Sequence, residues 1–151
     1  ATAQALDQEM LQRVAAHRQA RPAAWVTLEI PLGVGQALLA GPAVAGLVLL
    51  DCLTLLVSNL LMQVCTPAGE LDETAGSALV DEEIENLLRA VRLSEADFII
   101  VSNEVGLGLV PPYPLGRAYR DLLGRANQRL ASQADQVIFM VAGIPMKLTP
   151  L

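Results

Sequence analysis

Two short, unbroken apolar runs, Leu47-Val48-Leu49-Leu50 and Phe98-Ile99-Ile100-Val101, constrain this chain more than any other feature. Each is too short for a helix, and neither alternates with polar residues, so neither offers a face to water. Such runs are what strands covered on both faces of a parallel sheet require. Each also stops abruptly at polar residues: Asp51 after the first, Ser102-Asn103-Glu104 after the second. In open α/β sheets, ligands bind beyond the carboxyl ends of the strands.

The segments between the runs have helical periodicity. From about Gln4 to Ala20, Leu6, Met10, Val14 and His17 recur at three- and four-residue spacing, and Pro22 stops the helix. Trp25 to Leu28 has strand character, with Glu29 just after it. Gly33 to Leu39 reads as a short helix broken by Gly41-Pro42. A helix from about Leu53 to Val64 follows Asp51, and Thr66 to Gly76 reads as a surface loop. Ala78 to Val91 is amphipathic, with Asp81, Glu82, Glu83 and Glu85 suited to the positive end of a helix. Asn103 to Pro114 is a Gly/Pro-rich loop, Leu115 to Ala131 a helix, and Gln136 to Val141 the last strand. Strands alternating with helices predict one α/β domain with a mostly parallel sheet.

The 151 residues suffice for one core; 53% are apolar but only 3% aromatic, so that core is aliphatic. A net charge of −6 argues against a nucleic-acid surface, which needs a basic patch. Cys52 and Cys65 lie in apolar segments and read as buried thiols of a reducing compartment. Ala43 to Cys65 is long enough to span a bilayer, but Asp51 near its centre favours strand, turn and helix instead. No secretory signal is visible, so a soluble, cytoplasmic protein without a membrane span is expected.

His17 is the only histidine, flanked by Arg13, Arg18 and Arg21. An imidazole there can act as a nucleophile toward a phosphate held by the arginines. It can equally do no more than complement a helix C-terminus. Asp51 resembles the acidic strand end that holds Mg²⁺ in nucleotide enzymes, or it caps the following helix. Arg117, Arg120, Arg125 and Arg129 read as a solvated or subunit-facing stripe. Gly106-Leu107-Gly108 is no phosphate loop, because Pro111-Pro112 prevents a helix from opening after it. No GxxxxGK[ST] sequence occurs, and the only lysine is Lys147.

Taken in order, five stretches resemble one family. They are His17-Arg18-Gln19-Ala20-Arg21-Pro22 with Trp25; Leu49-Leu50-Asp51-Cys52-Leu53-Thr54 with Val57-Ser58-Asn59-Leu60-Leu61; Val101-Ser102-Asn103-Glu104-Val105-Gly106-Leu107-Gly108-Leu109-Val110-Pro111; Tyr119-Arg120-Asp121; and Gly124-Arg125-Ala126-Asn127-Gln128. The family is that of the bifunctional adenosylcobinamide kinases / adenosylcobinamide-phosphate guanylyltransferases. The resemblance implies a three-layer P-loop NTPase-like (RecA-like) fold, a mostly parallel sheet flanked by helices, and assembly as a homotrimer. It implies phosphorylation of adenosylcobinamide by ATP or GTP. GMP would then pass from GTP, through a guanylyl-histidine, to adenosylcobinamide phosphate.

By that resemblance the nucleophile falls on His17. The nucleotide contacts fall on Ala1, Thr2, Ala3, Arg18, Gln19, Ala20, Arg21, Glu29 and Asp51, with Asp51 holding Mg²⁺ and Glu29 meeting the guanine edge or the ribose. Asn103 and Glu104 are candidates for the corrinoid substrate. The resemblance starts at Ala1-Thr2-Ala3, where the family's second strand ends. The first strand and the P-loop are therefore expected to be missing from this sequence, and apolar sheet faces to be left uncovered unless a partner covers them. Two other readings are a non-catalytic oligomerising fragment of that fold and an unrelated P-loop-like small-molecule kinase with a structural histidine.

Overall fold

The computed structural model describes residues 1–5, 7–41 and 46–148. Its elements are α1 (Gln8–Ala20), α2 (Val34–Ala40), β1 (Leu47–Asp51), α3 (Leu53–Met62), α4 (Glu73–Leu93), β2 (Asp97–Val101), α5 (Pro114–Ala131), β3 (Val137–Val141) and β4 (Ile144–Leu148). The chain is α/β. β1 and β2 pair in parallel, Leu47 opposite Asp97 through Asp51 opposite Val101. The crossover between them contains α3 and α4, which supply the length a parallel connection needs. Leu6 of the expected α1 stripe, together with Pro42 and Ala43, lies outside the described residues.

The core is aliphatic, as the composition demands. Leu53, Leu56, Val57 and Leu61 of α3 meet Val80, Ile84 and Leu87 of α4 and Leu122, Leu123 and Ala126 of α5, with Leu50 of β1. No helix among the described residues is long and apolar enough to cross a membrane.

Two-sided burial of the strands does not hold. Leu50 is 5% exposed, but Leu49 and Ile99, opposite each other in the register, are 40% and 50% exposed. Successive side chains point to opposite faces. The helices cover the face that carries Leu50 and Ile100, and nothing among the described residues covers the other. The apolar runs thus report strands correctly but overstate how much this chain itself covers them. Cys52 and Cys65 are likewise free thiols but only half-buried.

Trp25 to Leu28 is not a strand. It leaves a turn in which Trp25 N donates to Pro22 O at 3.0 Å, and its side chains stay exposed. Its far end is tied down by backbone bonds: Ala1 N donates to Leu28 O at 2.7 Å and Ile30 N to Ala1 O at 2.9 Å. α1 begins at Gln8, capped by the Asp7 carboxylate on Met10 N, and buries none of its residues. Its apolar spacing therefore marks a helix without a covered face.

α4 starts at Glu73, five residues earlier than the periodicity suggests, because the Asp72 side chain accepts from Ala75 N and caps it. Residues 73–76 of the expected loop are therefore helical. Asp81, Glu82, Glu83 and Glu85 consequently sit well inside α4, beyond reach of its N-terminal dipole. Glu83 instead is buried and accepts from Gly35 N at 2.8 Å, neutralising the start of α2. Arg129 of α5 binds Asp81 and Glu85, at 3.0 Å each.

The arginine stripe, with Arg117 and Arg125 exposed, also makes bonds within the chain. Arg125 donates to Ser77, Arg120 to Gly106 O, and Arg117 to the carbonyls of Pro111 and Pro112. Together these side chains tie α5 to α4 and to the loop before it.

After β3, Ala142 (φ 51°) and Gly143 (φ 78°) form a two-residue turn into β4, an antiparallel partner that the sequence reading omits. Pro145 sits in β4 on the edge of this two-stranded sheet, where a proline is tolerated.

Candidate functional site

The parallel register brings Asp51 and Val101 side by side, so the polar residues that follow each strand share one edge of the pair. Asn103 is anchored there by two bonds to Thr54 Oγ1 of α3, from its backbone N and from Nδ2, both at 3.1 Å. Asn127 of α5 closes the arrangement. Its Oδ1 accepts from Ser102 Oγ at 2.6 Å and its Nδ2 donates to Asn103 O at 3.1 Å. Tyr119 OH reaches Thr54 O at 3.4 Å, and burial pushes its phenol above the ordinary range. Glu104 turns back on its own loop, accepting from Gly106 N. Asn103 thus spends its side chain on positioning, whereas Glu104 lies exposed beside a hollow.

Asp51 does not cap α3. The N-cap is Cys52, without a side-chain bond. The half-buried Asp51 carboxylate takes no hydrogen bond or ion pair within 4 Å among the described residues. No group of three metal-ligating side chains exists among those residues. A single open carboxylate at a strand end nevertheless fits Mg²⁺, which is commonly held by one or two carboxylates together with substrate phosphates and water.

Thr2 is fully buried, and its hydroxyl is already committed. It donates to Cys52 O at 2.7 Å and accepts from Cys52 N at 2.9 Å, while Thr2 N donates to Asp51 O at 3.2 Å. Asn59 Nδ2 bridges Thr2 O and Pro31 O at 2.8 and 3.0 Å. Ala1, Thr2 and Ala3 therefore form a backbone wedge between the 28–30 segment and the end of β1, and this wedge sets where Asp51 and Glu29 stand.

The second half of the site follows α1. Arg18 and Arg21, with Pro22, Ala23, Trp25, Thr27 and Glu29, line an open hollow of about 500 Å³. Arg18 Nε donates to Glu29 Oε1 at 2.8 Å, and Arg21 Nη1 to Thr27 Oγ1 at 3.2 Å. The hydrogen bond from Arg18 holds the Glu29 carboxyl below its ordinary range. His17 precedes Arg18 in the last turn of α1, exposed and outside the lining of the hollow; Gln19 and Ala20 are exposed as well. The structure thus assembles Arg18, Arg21 and Glu29, and through Ala1 it places Asp51 nearby. It does not bring His17 into the lining of the hollow. Thr27, which orients Arg21, lies in none of the family stretches; Thr54 ends one of them, but only folding shows that it anchors Asn103.

The cobinamide kinase / cobinamide phosphate guanyltransferase family model matches residues 1–148. The bifunctional adenosylcobalamin biosynthesis protein CobU of Salmonella typhimurium is 39% identical over 150 residues, covering 98% of this chain and 83% of its own length. The bifunctional adenosylcobalamin biosynthesis protein CobP of Pseudomonas aeruginosa is 43% identical over 148 residues, covering 98% of this chain and 79% of its own. With a family model spanning nearly every residue and relatives aligned over most of their length, the chain belongs to the cobinamide kinase / cobinamide phosphate guanyltransferase family.

Proposed function

We propose that this transferase phosphorylates the hydroxyl of adenosylcobinamide with ATP or GTP and then moves GMP from GTP to adenosylcobinamide phosphate through His17. A neutral imidazole nitrogen attacks the α-phosphorus of GTP. The bond to the bridging oxygen breaks and pyrophosphate leaves, and a phosphoramidate remains on His17. A phosphate oxygen of adenosylcobinamide phosphate then attacks the same phosphorus. The P–N bond breaks, adenosylcobinamide-GDP forms, and the imidazole is restored.

The observation that carries this reading is the pair of guanidiniums, Arg18 and Arg21, lining a hollow directly after the only histidine, with Arg18 aimed by Glu29. Planar guanidinium donors suit phosphoryl oxygens and the charge that develops on them. Gln19 and Ala20 contribute backbone near the nucleotide, and Ala1 to Ala3 border it. Glu29 accepts from the guanine edge or the ribose. Asp51 would hold Mg²⁺, which supplies charge neutralisation of the phosphates when bound. Asn103 and Glu104 border the corrinoid.

The parallel β1–β2 pair with Asp51 at its carboxyl edge supports a three-layer P-loop NTPase-like arrangement, and we assign the working form as a cytoplasmic homotrimer. The free thiols Cys52 and Cys65 suit a reducing compartment.

The test is incubation of the full chain with α-labelled GTP. Acid-labile, base-stable label on the wild type and none on His17→Ala supports the phosphoramidate. An intact, folded wild type that takes no label overturns the reading.

A further inference from the structure

Arg120 carries a cost that the site does not explain. Its Nη2 donates to Gly106 O at 2.7 Å, but its Nη1 is buried without a partner among the described residues. Buried donors normally find acceptors. Closed off from bulk water, Nη1 has to draw its acceptor from the protein itself. Arg120 lines an open hollow of about 440 Å³ between α5 and the loop after β2, and few acceptors stand along that hollow. Asn127 Oδ1 already accepts from Ser102 Oγ at 2.6 Å. Asp121 is adjacent to Arg120 on α5, and adjacent helix positions do not face each other. Gln128 stands about two turns further along the axis. Arg125, also on the hollow, is a donor and is turned toward α4, giving Nη2 to Ser77 Oγ at 2.8 Å. Glu104 remains.

The Glu104 carboxylate accepts from Gly106 N, the other polar end of the residue whose carbonyl Arg120 holds. One residue thus separates carboxylate from guanidinium, yet no ion pair within 4 Å joins them among the described residues. Gly106 is not in the left-handed region that favours glycine. A Cβ built on it would instead stand 2.6 Å from Glu104 Oε1, and only that side chain lies within 4 Å. Glycine at 106 is therefore what lets the carboxylate rest on the loop. Resting on Gly106 N or on Arg120, the carboxylate makes a charge-assisted hydrogen bond, so the two positions are close in worth.

We propose that Glu104 is a two-position latch, bonded to Gly106 N in the position seen and swinging onto Arg120 Nη1 in a second one, where it closes the mouth of the hollow and pins the loop after β2 to α5. The loop depends on such ties. The backbone bond inside it, Gly108 N to Val105 O, is 3.5 Å long. Arg117, Arg120 and Asn127 of α5 otherwise hold it by its carbonyls. Leu107 and Leu109, 79% and 96% exposed, ride on whichever position the latch takes. The latch stands independent of the transfer reaction proposed above.

The test uses the full chain and Gly106→Ala. The backbone there accepts alanine, which also narrows the unfolded ensemble, so this variant is expected to melt no lower than wild type. Its crystal structure should show Glu104 within 4 Å of Arg120 Nη1. Hydrogen exchange of the Leu107, Gly108 and Leu109 amides should slow relative to wild type and recover when Glu104→Ala is added. A double-mutant cycle of Glu104→Ala and Arg120→Met, read by urea unfolding, should show a coupling of about tenfold in the unfolding constant in the Gly106→Ala background, as groups in contact commonly do, and a smaller one in wild type. Glu104 left in solvent with Nη1 still unpaired overturns the latch. So does equal coupling in the two backgrounds, or a Gly106→Ala chain that fails to fold, since the displaced carboxylate would then have no second position to take.

Discussion

Arg18 and Glu29, eleven residues apart, meet across the turn at Pro22 to Trp25, with Arg18 Nε 2.8 Å from Glu29 Oε1. The pair fixes the direction of a guanidinium that would otherwise swing freely from the end of α1. Both partners remain open to solvent, so the contact is one of orientation more than of stability.

Glu29→Gln is therefore expected to raise the KM for GTP several-fold while moving the melting temperature little. The pH dependence has a definite sign. Glu29 has a lowered carboxyl pKa, chiefly from the Arg18 hydrogen bond, so the ion pair is complete at neutral pH and is lost only as pH falls through that lowered value. Carbon-13 NMR of the Glu29 carboxyl checks this. Titration at the ordinary glutamate value, about 4.3, would contradict it.

Thr2→Val leaves the Cys52 amide and carbonyl without their hydroxyl partner in a fully buried place. A loss of about 1–3 kcal/mol is expected in urea unfolding. Thr2→Ser should recover most of it, since the hydroxyl and not the methyl makes both bonds.

Gly35→Ala should be among the most damaging small substitutions. Its new Cβ would sit 2.5 Å from Leu87 N and 2.6 Å from Asn86 C, which are backbone atoms of α4 that cannot swing away. A loss of about 1–3 kcal/mol is expected as α2 is pushed off α4. Glu83→Ala, which removes the acceptor of Gly35 N, should weaken the same contact; thermal melts of both variants check the pair.

Arg129→Ala removes bonds to Asp81 and Glu85 on the outer edge of the α4–α5 contact. Because these groups are partly exposed, a loss of about 0.5–1 kcal/mol is expected, shrinking as salt is added. A salt-independent loss in guanidine-free thermal melts would show that packing of the arginine stem dominates.

Much of the fold was legible. The two apolar runs marked the positions of β1 and β2, and three- and four-residue spacing marked α1, because local periodicity reflects side-chain direction within an element. Trp25 to Leu28 misled because strand-forming residues make a strand only where a neighbour supplies a hydrogen-bonding edge. β4 was overlooked because Pro145 and Lys147 argue against a strand until β3 is seen beside them. The acids of α4 were legible as a cluster but not in purpose. Their partners, Gly35 and Arg129, lie 48 residues away in each direction from Glu83 and Asp81 respectively.

The sequence alone determined the aliphatic core, the alternation of helices with strands, and the kinds of chemistry on offer: one imidazole, arginines beside it, and an aspartate at a strand end. Tertiary structure decided which of these groups meet. It tied Arg18 to Glu29, gave the Thr2 hydroxyl to the Cys52 backbone, left the Asp51 carboxylate open and bonded the α5 arginines to α4 and to the loop before α5. Residue type and spacing set what a side chain can donate or accept. Only the packing of distant segments decides whether a partner stands within hydrogen-bond reach.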